Sequence, residues 1–188
     1  RGWPQEHVVK CNLYMHPHDD PQTRRLQEQR VLQLYDACVS NERRLLLEVQ
    51  PPRGASYGKS GAAEVLEHLY RLGVRPDWWK LPPALEPEVW RGIGEVVQGH
   101  DPYCAGLLVL GQGLPEEKLA GSFAAASSEP LCRGFAIGRS IYAGPARRWL
   151  AGEIGDEELV SEVAAGYGRV SELWRRRAPE GPEKDVAS

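Results

Sequence analysis

Arg44-Leu45-Leu46-Leu47-Glu48-Val49-Gln50 reads as a short apolar strand carrying a single carboxylate. Side chains alternate across a strand, so Leu45, Leu47 and Val49 face one side while Leu46, Glu48 and Gln50 face the other. Similar short runs occupy residues 7–15, 76–81, 106–111 and 134–137. Longer stretches of helical character separate them, at residues 21–40, 62–72, 87–98 and 115–127. A strand followed by a helix, repeated about five times, is the signature of βα units around a parallel sheet.

In the first helical stretch, Leu26, Val31, Leu34, Tyr35 and Cys38 are spaced for one apolar face. Two more helices are expected after the last strand, over residues 145–151 and 156–177, the second with Asp156 as its N-cap. Residues 178–188, rich in proline, glycine and charge, read as a disordered tail behind one domain spanning residues 1–177. The fold class expected is α/β, a (β/α)8 TIM barrel. Five units do not close eight strands, and a complete barrel needs about 250 residues. The chain opens Arg1-Gly2-Trp3-Pro4 and enters a strand almost at once, so it reads as the C-terminal portion of a barrel with about three units upstream. An open doubly wound sheet is the competing architecture, but the first βα turn has no glycine-rich phosphate fingerprint.

The 188 residues are 41% hydrophobic and 26% charged, which suits one soluble domain with a sizeable core. The net charge of -3 and the absence of long basic blocks argue against nucleic acid as a partner. No run approaches the roughly 20 apolar residues of a membrane helix, and no signal peptide is apparent, so no membrane partner and a cytoplasmic location are expected. Cys11, Cys38, Cys104 and Cys132 stand singly and are expected to be reduced, mostly buried thiols.

The same alternation places Lys10, Asn12 and Tyr14 on the inner face of the first strand, and Trp78 with Lys80 on that of the third. Lys10, Glu48 and Lys80 then converge on a common interior, where charges are costly unless paired and functional. A second ammonium and partial desolvation both favour a free amine, which is what attack on a carbonyl requires. A structural ion pair beside a solvated strand end fits the same pattern. A register slip of one residue would turn all three side chains outward.

Gly134-Phe135-Ala136-Ile137-Gly138-Arg139-Ser140 and Gly111-Gln112-Gly113 close the last two strands. Gly111 and Gly138 let backbone N–H groups approach an anion and Arg139 adds a fixed charge, as the phosphate-binding loops of barrels do. A tight turn with a surface arginine explains these residues too. His16-Pro17-His18-Asp19-Asp20 could offer metal ligands, although Asp19 and Asp20 equally suit a helix cap, and His16 is a candidate to line the site. Gly58-Lys59-Ser60 lacks the glycine spacing of a phosphate loop and reads as a surface turn.

Glu6-His7-Val8-Val9-Lys10-Cys11, Leu45-Leu46-Leu47-Glu48-Val49-Gln50-Pro51-Pro52, Arg75-Pro76-Asp77-Trp78-Trp79-Lys80-Leu81, Asp101-Pro102-Tyr103-Cys104 and residues 134–140 together carry a resemblance. They resemble the uncharacterised C-terminal domain fused to 5-dehydro-2-deoxygluconokinase in many bacteria, over nearly the whole chain. That domain is similar, more distantly, to the tagatose-bisphosphate aldolase family of class I barrels. The family carries a lysine on strand four, a glutamate on strand five, the Schiff-base lysine on strand six and a Gly-Arg phosphate turn after strand eight. Matched strand by strand, these are Lys10, Glu48, Lys80, and Gly138 with Arg139.

The resemblance implies a Schiff-base lyase that cleaves 2-deoxy-5-keto-gluconate 6-phosphate into dihydroxyacetone phosphate and malonate semialdehyde, the aldol step of myo-inositol catabolism. It implies no metal and no cofactor, a phosphorylated keto-sugar as substrate, an upstream kinase domain as covalent partner, and a possible homo-oligomer. A different class of role is a non-catalytic sugar-phosphate-binding or oligomerisation module serving that kinase.

Overall fold

The structure, a computed structural model, describes Pro4 and residues 6–177. In chain order the elements are β1 (Val9–Tyr14), α1 (Pro21–Ser40), β2 (Leu45–Gln50), α2 (Gly61–Arg71), β3 (Trp78–Leu81), α3 (Pro87–His100), β4 (Gly106–Leu110), α4 (Glu116–Ala126), β5 (Cys132–Ala136), α5 (Arg139–Leu150) and α6 (Asp156–Arg175). The strands form one five-stranded sheet in the order β1-β2-β3-β4-β5, each neighbouring pair parallel. A doubly wound sheet reverses its strand order at a switch point, and this one does not. With every connection joining neighbouring parallel strands, the usual right-handed crossover puts the helices on a single face, as in a barrel arc. The expected α/β class with a parallel sheet is therefore present, in an arrangement consistent with part of a TIM barrel.

Register explains which face is dry. Leu47, Trp79, Leu107 and Cys132 lie side by side across β2 to β5, and the first three are fully buried. With Val49, Leu81 and Val109 they pack against Leu66, Leu69, Trp90, Ile93, Val97 and Phe123 of the helices. Burying large apolar side chains of this kind stabilises the fold by about 1.5–3 kcal/mol each. Trp79 keeps its one polar atom satisfied by donating from Nε1 to the Tyr70 hydroxyl at 2.7 Å.

α1 spans the expected residues because its start is built into the sequence: Asp20 accepts from the backbone N–H groups of Gln22 and Thr23 at 3.0 Å each, and Pro21 follows. Its apolar face is narrower than the spacing predicts. Val31 and Cys38 are buried, but Leu26 is exposed. Most element ends shift by one or two residues from expectation, and three starts have a specific cause. α5 starts at Arg139, well before residue 145, and carries Pro145 inside it; a helical proline cannot donate to the carbonyl four residues back, so the pattern placed the start there. α6 is capped by Gly155, and Asp156 is its first helical residue, accepting from Trp149 Nε1 at 2.7 Å. β5 begins at Cys132 because a bulge lets Leu107 pair with Cys132 and Leu108 with Gly134, skipping Arg133 and breaking the alternation. The tail over residues 178–188 lies outside the described residues.

Among the described residues no helix is long and apolar enough to cross a membrane. All four cysteines are free.

Candidate functional site

The face opposite the helices carries the charges. Asn12, Glu48, Lys80 and Leu108 are neighbours across β1 to β4, and Lys10 lies opposite Leu46, one pleat before Glu48. Glu48 and Lys80 are therefore direct cross-strand partners, and the long Lys10 side chain reaches Glu48 on the diagonal. Glu48 Oε2 is 2.8 Å from Lys10 Nζ and 2.8 Å from Lys80 Nζ. One carboxylate oxygen thus bridges two ammonium groups, so these lie within about twice that distance of each other.

Exposure differs sharply within the trio. The Glu48 side chain is 5% exposed, Lys80 12% and Lys10 43%. Lys10 also donates to Asn12 Oδ1, and the Gln50 amide donates to Glu48 Oε1. Burial pushes the Glu48 carboxyl up. The hydrogen bonds and charges of Lys10 and Lys80 outweigh it, and hold the group below the ordinary carboxylate range. Glu48 is accordingly ionised at neutral pH.

These side chains open into a cavity of about 470 Å³ whose far wall is built by Gly111, Gln112, Gly138, Arg139 and Tyr142. The N-terminus of α5 points its first turn there. Gly138 supplies no side-chain cap, so the N–H groups of Arg139 and Ser140 remain as donors beside the Arg139 guanidinium. Close approach at Gly111 is enforced: a Cβ there would sit 2.8 Å from Ile137 Cγ2 and 3.1 Å from Ser140 Oγ. Two lysines, one arginine and one glutamate leave the cavity net positive, which favours an anionic ligand.

The structure brings together Lys10, Glu48, Lys80, Gly111, Gly138 and Arg139. His16 it does not. The His16 ring stacks on Tyr57 and its Nε2 lies 3.2 Å from the Ser56 carbonyl oxygen, so it orders the loop after β1 away from the cavity. Asp19 and Asp20 serve the backbone there, Asp19 Oδ2 accepting from His16 N at 2.7 Å. Among the described residues no group of three or more His, Cys, Asp or Glu side chains is placed to hold a metal ion. Alternation along β1 and β2 placed Asn12 and Gln50 on the faces of Lys10 and Glu48, and their hydrogen bonds to those residues bring both into the site. The glycines of Gly111-Gln112-Gly113 drew attention to that turn, but not to the Gln112 side chain, which reaches the cavity from it.

A family model of uncharacterized proteins conserved in bacteria (DUF2090) matches residues 1–178, and the chain belongs to that family. No curated protein matches. Among solved structures, a Schiff-base-forming fructose-1,6-bisphosphate aldolase is similar at 15% identity and a TM-score of 0.56, covering 87% of this chain and 58% of its own. An archaeal fructose 1,6-bisphosphate aldolase gives 14% identity, a TM-score of 0.57 and coverage of 88% and 58%. A fructose-bisphosphate aldolase from Plasmodium falciparum gives 13% identity, a TM-score of 0.59 and coverage of 93% and 58%. At such identities the likeness is one of fold. The chain spans 58% of the length of these aldolases.

Proposed function

We propose that this chain supplies strands four to eight of a class I aldolase barrel, with Lys80 as the Schiff-base lysine. The observation that carries this is the single Glu48 oxygen shared by two lysines on flanking strands, in a cavity whose opposite wall is an uncapped helix N-terminus with an arginine. The preferred substrate is 2-deoxy-5-keto-gluconate 6-phosphate, in myo-inositol catabolism, and the natural neighbour in the parent protein is a 5-dehydro-2-deoxygluconokinase domain. Gly111, Gly138 and Arg139 hold the phosphate.

The Lys80 amine adds to the C5 ketone, and loss of water leaves an iminium whose positive charge replaces that of the ammonium beside Glu48. The C3–C4 bond then breaks. Its electron pair passes to C4 and into the iminium, giving an enamine, while the C3 hydroxyl gives its proton to Glu48 and becomes the aldehyde of malonate semialdehyde. Protonation at C4 and hydrolysis release dihydroxyacetone phosphate and the free lysine. Lys10 keeps one positive charge on Glu48 throughout and can hold a substrate oxygen.

The test is a coupled assay for triose phosphate released from this keto-sugar phosphate by the full-length protein. Release that disappears in Lys80→Met supports the proposal; tight binding without release refutes it. The second outcome is the one expected of a non-catalytic sugar-phosphate-binding module. One observation favours that role: Lys80 already sits in a satisfied ion pair.

A further inference from the structure

Two glutamines stand in series behind Glu48. Gln50 follows it by two residues on β2, so both point to the same face, and the Gln50 amide Nε2 donates to Glu48 Oε1. Gln112 Nε2 in turn donates to Gln50 Oε1 at 3.3 Å. Gln112 lies in the turn between β4 and α4, between Gly111 and Gly113, with φ at +48°. That left-handed backbone is uncommon for a residue with a side chain and costs on the order of 1 kcal/mol or more. A glycine would take it freely, as Gly113 beside it does at φ +75°. Glutamine stands there instead, and its side chain is what closes the connection to Gln50.

The two oxygens of Glu48 have different partners. Oε2 meets both ammoniums, and Oε1 meets only Gln50. A carboxylate without a second partner can rotate and trade its oxygens. Gln50 can prevent this only if its own amide presents nitrogen to Glu48, and a donor on its oxygen enforces that orientation. Gln112 is that donor.

We infer that Gln112 and Gln50 form a positioning chain that fixes the Glu48 carboxylate toward Lys10 and Lys80 and ties its placement to the β4–α4 turn. For its catalytic meaning this rests on the aldolase proposal above. Gln112 also lines a second cavity of about 420 Å³, with Tyr57, Lys59, Leu85 and Ile93. The outer end of the chain is thus in reach of whatever occupies either chamber, and Glu48 senses both through one amide relay.

The relay is tested on the full chain without substrate, by carbon-13 titration of the Glu48 carboxyl. The charged groups facing Glu48 are Lys10 from β1 and Lys80 from β3, with Tyr14, Arg139 and Tyr142 around the same cavity. All are kept. Gln50→Leu removes one hydrogen bond to a charged oxygen and is expected to raise the titration midpoint by about one pH unit. Gln112→Gly removes the outer amide while relieving the left-handed backbone, and is expected to raise it by a smaller step. The double variant should move no further than Gln50→Leu alone, since both act along one path. A midpoint unmoved by Gln50→Leu overturns the inference, as do single shifts that add in the double variant. Because no imine is involved, these outcomes are independent of whether Lys80 can be trapped on a substrate.

Discussion

Replacing Glu48 by glutamine keeps the shape of the side chain and removes the one anion between two cations. Lys10 and Lys80 each lie 2.8 Å from the same oxygen. Two unit charges about 5 Å apart repel by about 3 kcal/mol at the effective dielectric of a protein surface. Lys10, 43% exposed, can swing into water and relieve part of this, whereas Lys80, 12% exposed, cannot. Glu48→Gln is therefore expected to lose about 2 kcal/mol at pH 7, moving a urea midpoint by about 1 M at a typical slope. Its pH dependence has a definite sign. On the acid side the wild-type advantage falls. Glu48 is held below the ordinary carboxylate range, so its contribution is present above about pH 4.3 and is lost as pH falls through the lower folded value. Urea unfolding of both proteins from pH 3 to pH 7 should trace a difference that shrinks as pH falls. A variant as stable as wild type at pH 7, or a difference flat in pH, refutes the electrostatic account of the site.

Arg139→Ala is expected to weaken inorganic phosphate binding about tenfold, measured by nuclear magnetic resonance titration, without changing the unfolding midpoint, because Arg139 is exposed. Gly94→Ala should cost about 1–3 kcal/mol in denaturant unfolding, since a Cβ there would lie 2.0 Å from Glu129 Oε2 and displace a carboxylate that accepts from Leu131 N. Thiol labelling of the native chain followed by mass mapping should find Cys11 alone reactive at pH 8. Burial pushes the thiols of Cys38 and Cys104 up, and that of Cys132 up to about 12.

How far the sequence could be read depends on how local the causes are. β1 and β2 alternate cleanly, so the inward face of Lys10 and Glu48 followed from spacing alone, and the register confirms that Glu48 and Lys80 are cross-strand neighbours. α1 was legible because Asp20 and Pro21 mark its start within two residues. β5 was read short because a bulge at Arg133 shifts the phase of its side chains, which only pairing with β4 reveals. α5 was read late because Pro145 looks like a beginning, whereas the turn at Gly138 after β5 starts the helix. His16 pointed to the site by composition, but its ring is captured by Tyr57 and the Ser56 carbonyl, contacts forty residues away in the chain. The role of the Gln112 side chain was hidden for the same reason: its partner Gln50 is separated from it by two βα units.

The central claim is that Lys80 forms a covalent imine. Borohydride reduction of the full-length protein with 2-deoxy-5-keto-gluconate 6-phosphate, followed by peptide mass mapping, tests it directly. An adduct on Lys80, lost in Lys80→Met, is the predicted result. Bound substrate with no lysine adduct, or an adduct confined to Lys10, contradicts it.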